Sequence, residues 1–249
     1  MKLLTALIYG CLCVTAACST NDINLSRESE PAHFLNLEET LLPAIVFPEN
    51  GIEGTLIIRG ALRVSKDGEP GRLFLYSDPS KREIFESYET AVTSAARVAI
   101  SPFNTFFRSS RDDRGLRFRP ASFGGRRREV WTNLSVVFTK QNESETIRVY
   151  QSMLYHVDAY GWEYSDPQRV ISEALPNACR DSDMRVGVWI AVDIDNEGTP
   201  SNARIVSGNT RGTCGKRLIK IVLESDYIPA KLEQSFVSAT YVEAWFSSY

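Results

Sequence analysis

Val186-Gly187-Val188-Trp189-Ile190-Ala191-Val192-Asp193-Ile194-Asp195-Asn196-Glu197-Gly198-Thr199-Pro200, continued by Ser201-Asn202-Ala203-Arg204-Ile205-Val206-Ser207, is the stretch that decides the fold. Val186, Val188, Ile190, Val192 and Ile194 recur at every second position, the period of a strand that buries one face. Asp195 to Pro200 is an acidic, Gly-containing turn, and Asn202 to Ser207 returns as a second short strand. Cys214, Leu218, Ile221, Val222 and Leu223 then mark a helix, Tyr227-Ile228-Pro229-Ala230 follows it, and Phe236 to Phe246 reads as a last strand.

The same order occurs earlier in the chain. Leu56, Ile57, Ile58, Ala61, Leu62 and Val64 form a strand-like run ending at Ser65-Lys66-Asp67-Gly68-Glu69-Pro70, and Arg72 to Tyr76 is a second short strand. Asp78-Pro79 has the cap-then-proline pattern of a helix start. Ile84, Phe85, Tyr88, Val92, Ala95 and Val98 recur at three- and four-residue steps, as on an amphipathic helix, and Ser101-Pro102 stops it. Val130 to Phe138 returns as a strand. Two passes of strand, turn, strand, helix, Pro and strand indicate an internal duplication. Between them, Thr146 to Tyr155 is expected to pair with Val130 to Phe138, and Asp166-Pro167 to Ala174 reads as a short helix.

The chain opens with Met1-Lys2, an apolar run from Leu3 to Val14, and the small-residue patch Thr15-Ala16-Ala17-Cys18-Ser19, laid out as a secretory signal. A spanning helix needs about 20 apolar residues, which this run does not reach. Val14-Thr15-Ala16-Ala17-Cys18 resembles the lipobox of bacterial lipoprotein signals, although Thr15 stands where such boxes usually carry Leu. The resemblance implies a lipid on Cys18 and, through Ser19, sorting to the outer membrane. The alternative is an ordinary signal that contains a cysteine. Cys179 and Cys214 then remain as an even pair, expected to be bridged in an oxidising compartment or else to be two buried thiols.

These readings divide the chain into a signal at 1–17, a lipid-tethered linker at 18–46 that could hold a short helix at Leu35 to Leu42, a first module at 47–155, a connector at 156–183 and a second module at 184–249. Each module is expected to be α+β, a small antiparallel sheet packed by one helix. The second, through its strand before Asp195-Asn196-Glu197-Gly198, its Asn202 to Ser207 strand and Tyr227-Ile228-Pro229-Ala230, resembles the C-terminal domain of TonB and TonB-like energy transducers. The first is similar in Phe47-Pro48, Gly51-Ile52-Glu53-Gly54, Ser65-Lys66-Asp67-Gly68 and Ser101-Pro102-Phe103. The resemblance implies a protein-binding module in a TonB-type transport system, on the periplasmic side of the envelope. The departure from the family is a cleavable leader without a retained helix or Pro-rich span, so autonomous energy transduction is not expected. In the family the closing strand pairs with a partner's strand by edge addition, which implicates Phe236, Val237, Ala239, Tyr241 and Glu243. That edge could instead be covered by the other repeat or by the extreme C-terminus.

The formal net charge of −3 does not point to nucleic acid. It is unevenly distributed, with eight arginines against Asp112 and Asp113 between Arg108 and Arg128. This stretch, 108–128, reads as an insertion in the duplicated frame. Arg108, Arg111, Arg117, Arg119, Arg126, Arg127 and Arg128 are candidates for binding carboxylates or phosphates of envelope ligands such as peptidoglycan or lipid headgroups. The alternative is a solvated loop that balances the acidic remainder. His156-Val157-Asp158 could be a base with its carboxylate, but no nucleophile motif accompanies it. No metal-ligand spacing and no cofactor motif is recognisable. The expectation is a non-catalytic, lipid-anchored binding protein.

Overall fold

Apolar residues at alternate positions of Gly54–Val64 bury Leu56, Ile58, Leu62 and Val64 on one face. The turn that follows is held by the Ser65 hydroxyl, which accepts the amides of Asp67 and Glu69 at 3.2 and 3.1 Å, and by Gly68 at φ +81°. The chain then returns as Pro70–Tyr76. The computed structural model describes residues 28–76, 82–100, 115–161, 163–171, 179, 188–208 and 213–245. The helix Arg82–Ile100 covers the apolar face with Tyr88, Val92, Ala95, Ala96, Ala99 and Ile100. Ile84 and Val98, counted in the sequence stripe, are exposed, so the buried face is rotated slightly about the helix axis. Val130–Gln141 closes the unit, running antiparallel to Gly54–Val64 from Val130↔Val64 to Lys140↔Gly54.

The frame is built a second time. Val188–Ile194 buries Val188, Ile190, Val192 and Ile194 and pairs with Pro200–Ser207 on one side and with the closing strand Ala239–Trp245 on the other. The helix Cys214–Glu224 packs Leu218 and Val222 on that face. In this turn the carboxylate of Asp195 does what the Ser65 hydroxyl does in the first, accepting the Glu197 and Thr199 amides at 2.9 and 2.8 Å, and Gly198 takes φ +88°. A Cβ on Gly68 would lie 2.2 Å from the carbonyl oxygen of Phe118, and one on Gly198 would lie 2.3 Å from that of Tyr227. Phe118-Arg119-Pro120-Ala121 is thus the counterpart of Tyr227-Ile228-Pro229-Ala230. Each leads into a small hairpin, Ala121–Phe123 with Arg126–Arg128 and Ala230–Leu232 with Ser235–Val237.

Several boundaries therefore differ from the sequence reading. The stretch 108–128 is not one insertion: 118–128 belongs to the repeated frame, and residues 101–114 lie outside the described residues. The segment 28–46, expected as part of a tether, is packed on the first unit. His33–Phe34 pairs with Phe118–Arg119, a one-turn helix forms at Leu37–Thr40, and Ala32, Leu41 and Ile45 are buried in the first core. Its apolar residues are used singly, so no period announces them. The last strand is broken into Ser235–Val237 and Ala239–Trp245.

The connector is also structural. Ser144–Tyr150 pairs with the Ser135–Gln141 part of the first closing strand, as expected. Leu154–Tyr160 is a helix, and Gln168–Val170, read as part of a helix, is a strand beside Val130 and Trp131. Tyr227–Ile228 of the second unit then pairs with Gln168–Arg169. One sheet consequently runs from the first unit into the second, and Ile228 is buried in the first core. On the other side, Ala61, Trp131 and Met153 pack with Trp189 and Val242. The whole is a mixed α+β fold with mostly antiparallel sheets and, among the described residues, four helices. Cys179 and Cys214 form a disulfide, Cα–Cα 5.1 Å, tying the segment before Val188 to the start of the helix Cys214–Glu224. No helix among the described residues is long and apolar enough to cross a membrane.

Candidate functional site

Alternation along Ala239–Trp245 turns Tyr241, Glu243 and Trp245 inward. Tyr241 meets the Tyr227 ring edge-on at 6.0 Å. Glu243 Oε1 accepts from Arg169 Nε at 2.5 Å, and the guanidinium lies 4.6 Å over the Trp245 ring. Burial pushes the Glu243 carboxyl above the usual carboxylate range, against the pull of Arg169. Burial also drives the Tyr227 hydroxyl well up. Tyr241 and Glu243 therefore cannot offer side chains to a partner. Phe236 and Val237 lie on the small hairpin opposite Lys231 and Ala230, where Phe236 packs against the first core. What the strand does offer is main chain: among the described residues, no strand pairs with its outer side. The equivalent side of Val130–Gln141 is occupied by Ser144–Tyr150 and Gln168–Val170.

The arginines divide likewise. Arg108 and Arg111, like Cys18, lie outside the described residues. Arg117 is half-buried, its amide bonded to Asn36 Oδ1 at 2.7 Å. Arg119 is the cross-strand partner of His33. Arg126, Arg127 and Arg128 are exposed on their hairpin, with Arg126 and Arg128 on one side and Arg127 on the other. None of these three has a carboxylate within 4 Å among the described residues.

His156 sits on a helix, and its carboxylate is Asp166, at 2.5 Å from Nδ1, not the exposed Asp158. The other oxygen of Asp166 accepts from Asn133 Nδ2 and the Met153 amide, both at 2.8 Å. Asp166 was missed because its Asp-Pro pair reads as a helix start. An aspartate-held imidazole is half of a nucleophilic triad. Among the described residues, the buried hydroxyls of Ser135, Ser152 and Ser165 make no hydrogen bond, to His156 or to any other group. The network instead fills the gap along Val130–Gln141 between its two outer neighbours. Gln151 and Gln168 add bonds from that gap to Thr132 and to the Ala32 carbonyl.

A cavity of about 370 Å³ opens where the two units meet, lined in part by His33, Arg119, Lys231, Ser152, Ser165 and Tyr164. Lys231 Nζ lies 2.6 Å from Glu30 Oε2. Burial lowers the His33 pKa below its ordinary 6.5, and Lys231 and Arg119 lower it further, with Glu30 opposing. Glu163 and Glu233 line the same cavity. Among the described residues, no three His, Cys, Asp or Glu side chains gather to hold a metal ion. Compared with known proteins, the chain matches no family model, no curated protein and no solved structure.

Proposed function

We propose that the chain is a non-catalytic, lipid-anchored protein of the bacterial cell envelope that holds another envelope protein by strand addition at Ala239–Trp245. In this reading its duplicated units are TonB-C-like modules serving a TonB-type transport system, and Cys18 attaches them to the outer membrane from the periplasmic side. The observation that carries it is the contrast between the two closing strands: one is flanked on both sides and the other, among the described residues, on one. An unpaired edge presents amides and carbonyls that a partner strand can satisfy. Photo-crosslinking in cells from Thr240 or Val242 is expected to give one discrete adduct. Adducts no more abundant than from Lys66, on the turn of the first unit, overturn the reading.

A second reading rests on the three exposed arginines of the hairpin, Arg126 to Arg128, which lack acidic partners among the described residues. They suit a carboxylate- or phosphate-bearing envelope ligand. Arg126→Gln with Arg127→Gln and Arg128→Gln should then weaken co-sedimentation with anionic vesicles or sacculi, and unchanged binding removes it.

A further inference from the structure

The junction cavity carries separated charges of opposite sign. At one end His33 and Arg119 face each other across their strand pair, with Lys231 close enough to depress the His33 pKa. Lys231 is paired with Glu30, but Arg119 has no carboxylate within 4 Å among the described residues. This end therefore retains positive charge. At the other end, Lys231↔Ser165 and Leu232↔Tyr164 set a register in which the next residues outward are Glu233 and Glu163. Both line the cavity, and among the described residues neither has a cation within 4 Å. Both are turn residues just beyond the strand ends, Glu233 at φ +55°, and two carboxylates lining one cavity favour a cation between them. Ser152 and Ser165, which also line the cavity, are 1 % and 2 % exposed, and their hydroxyls have no partner among the described residues. A buried polar group without a partner calls for an explanation.

We propose that this cavity binds a short peptide with free termini, its carboxylate held by Arg119, Lys231 and His33 and its ammonium by Glu163 and Glu233. The volume lies in the range of small-ligand sites. Lys231 and Glu233 stand two residues apart along the chain, Glu233 in the turn just past the strand, so their Cα atoms are at most roughly 7 Å apart, which suits a di- or tripeptide better than a single amino acid, whose two charges are closer. Arg119 belongs to the first unit, Glu163 to the connector and Glu233 to the second unit, so the ligand bridges them. The site is separate from the Ala239–Trp245 edge and does not depend on it.

The chain has two histidines, His33 and His156, so imidazole NMR resolves the site directly. Trialanine is expected to shift the His33 resonance saturably and to raise its pKa, because a carboxylate arrives beside it. N-acetyl-trialanine and trialanine amide, each lacking one charge, should bind at least about tenfold more weakly. Arg119→Gln should weaken trialanine similarly. Glu163→Gln with Glu233→Gln should weaken trialanine but leave the N-acetyl peptide unaffected, since that probe has no ammonium to lose. All three substituted positions lie at the rim, and the probe comparison needs no variant. An unchanged His33 resonance at about 10 mM trialanine, well above any useful affinity, overturns the proposal. Equal responses to all three probes, or a response to inorganic phosphate alone, also overturn it.

Discussion

Glu243 lies 4 % exposed between Tyr241 and Trp245, and its carboxylate meets Arg169 from the strand that joins the two units. Taking one partner out of a buried pair strands the other in a medium that solvates it poorly, at a cost of about 3–5 kcal/mol. Glu243→Ala is therefore expected to lose about that much by urea denaturation, and Arg169→Met with Glu243→Leu to recover most of it. The sequence offered a hint, a charge set between two aromatics in an alternating strand, but nothing in it names Arg169, which is 74 residues away. His33 gives a second residue-scale expectation. Its folded pKa lies below the unfolded value near 6.5. As pH falls through that value, the unfolded chain takes up a proton that the folded one refuses, so stability drops on acidification and levels off above it. Subtracting the stability-against-pH curve of His33→Gln from that of the wild type should isolate this loss. A difference that is flat between about pH 5 and 7 contradicts it.

The repeated turns are where element-scale reading worked best. Ser65 to Pro70 and Asp195 to Pro200 are recognisable because a Gly must occupy the left-handed position and a short polar side chain must take the amides after it. Gly68→Ala and Gly198→Ala should each destabilise by about 1–2 kcal/mol from backbone strain alone, and by more because the new Cβ would meet the carbonyl oxygen of Phe118 or Tyr227. Similar losses at the two sites in thermal denaturation would show that the turns are equivalent. A neutral result at either site would contradict the close approach. The next element was misread for a physical reason. Phe118-Arg119-Pro120-Ala121 has the same place as Tyr227-Ile228-Pro229-Ala230, but arginine composition dominates its neighbourhood, and the longer path from Ile100 in the first unit shifts its spacing. Strand breaks such as that at Ser238 leave no periodic trace, because three-residue strands are shorter than the window in which alternation can be counted.

At the scale of the whole molecule, a duplicated sequence suggests two modules that fold independently, and the packing opposes that division. Ile228 of the second unit is fully buried in the first core, and Tyr227–Ile228 extends the first sheet through Gln168–Val170. Asp166, from the segment between the units, holds Asn133 of the first closing strand together with His156. Cutting the chain after Tyr150 would expose Val170's and Ile228's place in the core. It would also leave Asn133 without Asp166, and the Ala32 amide without the Gln168 Oε1 that accepts it at 2.8 Å. Each unsatisfied buried polar group costs about 1–3 kcal/mol, and a domain has only about 5–15 kcal/mol in all. Residues 28–150 alone are thus expected to give a poorly dispersed NMR spectrum, and the described fold to unfold in one transition, with tryptophan fluorescence and far-ultraviolet circular dichroism coinciding. Trp131 in the first unit and Trp189 in the second make the fluorescence probe sensitive to both. A well-dispersed 28–150 fragment, or two separated transitions, would mean that the shared sheet joins domains already stable by themselves.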